Sequence, residues 1–304
     1  MKLRHLAVSI LISVGLLAGC RGAGGMVPAG FNLLSASAVP AMESTGYFPS
    51  YSSCPQTETA SKATSRIPGT AWKSASSAVS AAAYVPPLLH CAGQSAEVSP
   101  SFLDHAVFVG DSVTLKLKNY VTKQRKTEPG FFGTAAFLAA GGMGSGNALK
   151  PLGKDSIHPS YNGEKKLLED SAAAMGAKKV YLMLGINDIA PYGVKGAAQN
   201  LEKLSLRFCT KIPGVKIYIQ SATPMLADKQ KKTLSNQNLE RYNKLVSEFC
   251  EKDGWYFVDV ASAMRDGTGA LKREYCSDPN DLGLHFTDTA CKVWIHYILT
   301  HTGG

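Results

Sequence analysis

Charge is scarce in this 304-residue chain: only 18% of its residues are Asp, Glu, Lys or Arg, against 45% apolar. That balance can fill a hydrophobic core, which excludes a wholly disordered chain and collagen-like or coiled-coil architectures. The sequence has no CxxC pair and no HExxH cluster, so no structural zinc site is expected. Its glycine-rich run, Gly141-Gly142-Met143-Gly144-Ser145-Gly146-Asn147, lacks the third glycine of the dinucleotide fingerprint and the lysine of the P-loop. Cofactor and nucleotide sites are therefore not expected. The little charge present leans basic, with 32 Lys and Arg against 23 Asp and Glu and a formal net charge of +9. No nucleic-acid-binding motif accompanies it, so nucleic acid is not an expected partner. No internal repeat is visible, and no apolar run after the N-terminus is long enough to form a lid.

Composition divides the chain into three parts. Residues 1–19 read as an export signal: Lys2 and Arg4 form a basic start, and Leu6 to Leu17 an apolar run too short to span a bilayer of roughly 30 Å. Leu17-Ala18-Gly19-Cys20 resembles the bacterial lipobox, which makes Cys20 the expected lipidation site and places the protein on the outer face of the cell membrane, held by acyl chains alone. Loss of residues 1–19 would remove two basic residues and no acid, lowering the formal charge from +9 to +7. Residues 20–100 are rich in Ser, Ala and Pro and read as a tether. Phe48, Tyr51, Trp72, Tyr84 and the 85–89 stretch are its candidates for docking, and Cys54 and Cys91 for stapling it. Setting Cys20 aside leaves six cysteines, for which Cys276 with Cys291 and Cys209 with Cys250 are the expected pairs; free buried thiols are the alternative.

From residue 101 to 304 strand and helix patterns alternate. Strands are predicted at 106–110, 131–140, 180–184, 215–220 and 255–260, and helices at 113–123, 163–175, 196–209, 234–251 and 287–300. This is the pattern of an α/β domain with a parallel sheet covered on both faces. Ligands of such sheets bind at the carboxyl ends of the strands.

Four motifs fall there. Ser112 follows the first strand and opens a helix, where its hydroxyl is exposed beside free backbone N–H groups; alone, such a serine also reads as a helix cap. Asp111 before it reads as structural, fixing the turn. The glycine run follows the second strand and offers backbone amides to an oxyanion. Asn187 follows the third, and the isolated Asn187-Asp188 pair reads as a local Asx turn. Near the chain's end, His285 can return to the crevice and take a serine's proton.

Together these residues resemble the SGNH hydrolase family, also called GDSL-type esterases: Ser112 in VGDS, a glycine within 141–146, Asn187 in GIND and His285 in GLHFT. The 220–224 segment QSATP is similar to family members too. The resemblance implies a flavodoxin-like three-layer α/β/α sandwich with a five-stranded parallel sheet, and a cofactor-free acyl-enzyme route. It implies Ser112 as nucleophile, His285 as general base and then acid, and an oxyanion hole of Ser112, Gly144 and Asn187. Many relatives carry the triad aspartate three residues before the histidine, but that position is Leu282. Asp281 is the expected partner, Asp278 the alternative, and a Ser-His dyad a third arrangement. The expected substrate is a small acyl ester, acetyl above all, on carbohydrate. A non-catalytic glycan-binding module and a lysophospholipase or thioesterase are the alternatives. The lysine-bearing loop 226–232 could border the crevice and meet an anionic polymer, though a solvated charge run is the commoner role for such a sequence.

Overall fold

A computed structural model describes Tyr84, Leu89 and residues 91–303. The expected signal 1–19, Cys20, Phe48, Tyr51, Cys54, Trp72 and residues 85–88 lie outside the described residues.

Five strands form an all-parallel sheet: β1 (Ala106–Gly110), β2 (Ala136–Ala139), β5 (Lys179–Met183), β6 (Lys216–Gln220) and β7 (Tyr256–Val258), in the order β2-β1-β5-β6-β7. A separate hairpin pairs β3 (Ser160–Tyr161) with β4 (Glu164–Lys165). The helices are α1 (Ser112–Gln124), α2 (Ser145–Ala148), α3 (Leu168–Ala174), α4 (Ile189–Lys211), α5 (Asn236–Asp253), α6 (Val260–Met264) and α7 (Asp288–Leu299). The β1-to-β2 step runs the opposite way along the sheet from the later steps. Right-handed crossovers therefore place α1 on one face and α3, α4 and α5 on the other. Consistent with this, α1 packs with α7, and α4 with both α3 and α5.

Strands buried from both sides need continuous apolar runs instead of alternation. β1 supplies one, with all five residues buried. Register is marked by a row of aromatics crossing the whole sheet: Phe137, Phe108, Tyr181, Tyr218 and Tyr256 are direct partners on adjacent strands. The rings of the last four stack at 4.4 to 4.6 Å between centroids. A one-residue slip would turn each strand's aromatic to the other face, so the row holds all five strands in one alignment.

Three elements differ from the sequence reading. The predicted strand 131–140 shortens to β2 because Phe132 and Gly133 take positive φ of 64° and 54°. The Arg125 guanidinium gathers the carbonyls of Phe131, Gly133 and Ala135 around that turn. The predicted helix 163–175 begins instead as the β3–β4 hairpin, since Asn162 and Gly163, at φ 52° and 82°, form its two-residue turn. The predicted helix 196–209 starts seven residues earlier and is broken at Gly193 (φ 66°, ψ 171°).

Part of the expected tether lies on the folded unit. Ala92 N–H donates to Phe257 O on the edge strand β7, and Ser95 and Val98 donate to Thr300 and Leu299. The Tyr84 ring stands against Gly269 and 5.7 Å from the Arg265 guanidinium. None of the described cysteines is paired: Cys91, Cys209, Cys250, Cys276 and Cys291 are all free thiols, which corrects both expected disulfides. Cys276 lies at a bridge to Phe286 and turns its thiol toward Asp278, while Cys291, on α7, is enclosed in the core.

Candidate active site

Strand β1 ends at Gly110, where close packing admits no side chain: a Cβ there would stand 2.0 Å from Thr114 Oγ1. The chain then turns directly into α1. Asp111, 1% exposed, caps the helix by accepting from Val113 N–H at 2.9 Å, so the cap is the aspartate and Ser112 is the first helical residue. This leaves the Ser112 N–H among the helix's unpaired amides and its hydroxyl at the surface of the crevice. Burial lifts the Asp111 carboxyl to about 6, against the pull of the Val113 amide and of nearby His285.

His285 returns to this point from the far end of the chain, 173 residues on. Its Nε2 lies 2.8 Å from Ser112 Oγ and its Nδ1 2.7 Å from Asp278 Oδ2. The carboxylate facing His285 is thus Asp278 and not the expected Asp281. The segment from Tyr275 to Thr287 is a closed loop, pinned where Ser277 N–H donates to His285 O and Thr287 N–H to Tyr275 O. Inside it, Asp278 O accepts from Asp281 N–H and Gly283 N–H, with Gly283 at φ 68°. That turn carries Asp281 to the exposed tip and brings Asp278 opposite His285. The other Asp278 oxygen accepts from the N–H groups of Leu284 and His285 at 3.1 and 2.9 Å and from the Cys276 thiol at 3.3 Å. Burial alone would raise this carboxyl; the His285 ring, the His285 amide and the Cys276 thiol outweigh it and hold it below the usual carboxylate range. Cys276 is a contributor that the sequence reading missed, because only the loop's closure brings it to Asp278.

The glycine run folds as a turn followed by α2, with Gly144 at its N-cap. Asp188, 1% exposed, holds this turn from across the crevice: it accepts from Ser145 N–H at 2.8 Å, Ser145 Oγ–H at 2.9 Å and Gly146 N–H at 2.8 Å. The expected local Asx turn is therefore corrected, since the carboxylate bonds amides 42 and 43 residues away. A Cβ on Gly144 would meet the Asp188 carboxylate at 2.6 Å, so the close approach requires glycine. Burial raises the Asp188 carboxyl in spite of those three bonds. Asn187 points the other way, donating Nδ2–H to Met143 O at 3.0 Å, with Asp111 Oδ2 at 3.5 Å. Its amide thus lies between the glycine run and the Asp111-Ser112 turn.

A family model described as GDSL-like lipase/acylhydrolase matches residues 108–293, well over half of the chain. The chain belongs to the GDSL-like lipase/acylhydrolase family. The matched stretch begins within β1 and ends within α7, so it takes in Ser112, the glycine run, Asn187 and His285. This membership makes the protein a carboxylic ester hydrolase. Solved structures similar to it include a GDSL-like lipase from Bacteroides thetaiotaomicron, 16% identical over 64% of this chain and 84% of that one, with a TM-score of 0.48. A lipase/acylhydrolase from Enterococcus faecalis is 17% identical over 66% and 95%, at 0.46. A catalytic mutant of an acetylxylan esterase from Geobacillus stearothermophilus is 15% identical over 68% and 94%, at 0.45. No curated protein matches the chain.

Proposed function

We propose that this GDSL-like hydrolase cleaves small acyl esters, acetyl esters above all, from carbohydrate by a Ser112-His285-Asp278 acyl-enzyme mechanism. The observation that carries the mechanism is the continuous row from Ser112 Oγ through the His285 ring to Asp278, at 2.8 and 2.7 Å. Neutral His285 takes the Ser112 proton at Nε2 as Oγ bonds to the ester carbonyl carbon, and Asp278 steadies the imidazolium through Nδ1–H. The developing oxyanion takes hydrogen bonds from the N–H groups of Ser112 and Gly144 and from the Asn187 amide, which keeps its bond to Met143 O and exchanges its longer, 3.5 Å contact with Asp111 Oδ2 for the oxyanion. Collapse breaks the ester C–O bond, the alcohol leaves with the proton from His285, and water then repeats the sequence on the acyl-serine. Asp111 and Asp188 are positioning residues, one capping the helix that presents Ser112 and the other holding the glycine turn.

The substrate reading rests on the sequence. The lipobox-like Leu17 to Cys20 supports an exported protein anchored by lipid at Cys20, where carbohydrate esters of the envelope or the surroundings are at hand. Among the described residues no helix is long and apolar enough to cross a membrane.

Labelling of Ser112 by a fluorophosphonate probe, blocked in Ser112→Ala, tests the nucleophile. Turnover of p-nitrophenyl acetate against the octanoate ester tests the acyl group. Preference for acetate is expected. A strong preference for octanoate would replace this reading with a lipid-active one, and absence of Ser112-dependent turnover would leave a binding module.

A further inference from the structure

The loop that follows β6 is built against the turn that carries the histidine. Leu226 N–H donates to Gly283 O at 2.8 Å, two residues before His285. The Lys229 stem covers Gly283 so closely that a Cβ there would stand 2.5 Å from its Cγ. Beyond Lys229, the loop is held by its own hydrogen bonds. Lys231 N–H donates to Leu234 O at 2.8 Å, Asn236 N–H to Gln230 Oε1 at 2.8 Å, and the Asn236 amide both donates to and accepts from the Met225 backbone. The loop's one acid, Asp228, faces Arg273 at 3.5 Å. Lys229, Lys231 and Lys232 have no acidic partner among the described residues, and the last two are exposed. Three cations without an acidic partner, on an ordered loop seated against the turn that carries His285, give that side of the turn a positive field. Such a field attracts an anionic substrate and is screened beyond about 8 Å at physiological salt, so it acts only on groups near the loop.

We propose that Lys229, Lys231 and Lys232 form a specificity site for an acyl ester carried on an anionic carbohydrate, whose carboxylate or similar group lies against this loop while the acyl group faces Ser112. The proposal rests on the esterase reading above. An anionic membrane surface is the competing partner for a lysine patch. The loop's attachment to the His285 turn favours the substrate, because it places the charge by the chemistry.

The test compares the full-length protein with Lys229→Gln/Lys231→Gln/Lys232→Gln, in which glutamine keeps most of the Lys229 stem, and with the triple arginine variant, which keeps the charge. The substrates are acetylated oligogalacturonate, acetylated xylo-oligosaccharide and p-nitrophenyl acetate. At low ionic strength the glutamine variant is expected to raise KM about tenfold for the galacturonate ester alone, with kcat and both neutral substrates unchanged. The arginine variant should restore KM, and about 0.5 M NaCl should erase the difference. An unchanged KM for the anionic ester, or an equal loss on all three substrates, overturns the proposal. Unchanged substrate discrimination together with lost sedimentation on vesicles containing phosphatidylglycerol overturns it in favour of the membrane. If the unaltered protein has no Ser112-dependent turnover of p-nitrophenyl acetate, the esterase reading itself fails, and this one with it.

Discussion

Asp278 and Asp281 are three residues apart and differ in every relevant contact. Only Asp278 reaches the His285 ring. Asp278→Asn should therefore lower kcat for p-nitrophenyl acetate at least about a hundredfold, by holding His285 in the wrong tautomer, while Asp281→Asn stays within twofold. On the proposed mechanism Asn187→Ala removes one oxyanion donor, and it should cost about 2.7 to 4 kcal/mol in kcat, read from the same assay. Asp111 makes a prediction about stability. Its carboxyl is pushed up from 3.8 to about 6 on folding, because its loss of water on burial outweighs the pull of the Val113 amide and His285. Between those values the folded chain holds a proton that the unfolded chain has released, so stability falls as pH rises through the window. Asp111→Asn keeps an oxygen for the Val113 amide and cannot ionise. Its urea midpoint should gain on the parent's from pH 4 to pH 7, by up to about 3 kcal/mol in unfolding free energy.

The site's elements are tied to one another more than to their own neighbours in sequence. Asp188 at the head of α4 holds the glycine turn before α2. The Asn243 side chain on α5 clamps both backbone groups of Ala222 after β6, at 2.8 and 2.9 Å. Gln220 at the end of β6 accepts from Trp294 Nε1 on α7 at 2.7 Å, and Ser221 Oγ from Ala261 N–H on α6 at 2.8 Å. These are buried polar contacts, so removing one partner leaves the other unsatisfied at about 1 to 3 kcal/mol per group. Asp188→Ala orphans two amides and a hydroxyl together. It should lower stability by at least about 3 kcal/mol in urea titration, and kcat should fall as well because Gly144 loses its fixed position. Of these ties, the strand ends were legible in the sequence as places, whereas the cross-links were not, since partners such as Asp188 and Ser145 are 43 residues apart.

For the whole molecule, the proposed lipid anchor predicts that Cys20→Ser moves the protein from the membrane fraction to the soluble fraction with p-nitrophenyl acetate turnover unchanged; an unaltered protein found in the soluble fraction counts against the anchor. The sequence by itself determined the α/β class and the parallel sheet, because apolar runs follow local periodicity, and it singled out Ser112, Asn187 and His285 through their resemblance to a family pattern. It misjudged 131–135, read as strand, and 163–167, read as helix, where positive φ at Phe132, Gly133, Asn162 and Gly163 sets turns instead. Tertiary structure alone decided which carboxylate serves His285, since the turn at 278–283 reverses the order that sequence spacing suggests. It also decided that the described cysteines stay unpaired, and that Lys229, from a lysine run readable as solvated surface, lies against Gly283. Each of these depends on loops closing over distances that no local pattern encodes: a contact between distant residues is set by packing and hydrogen-bond satisfaction in the assembled fold.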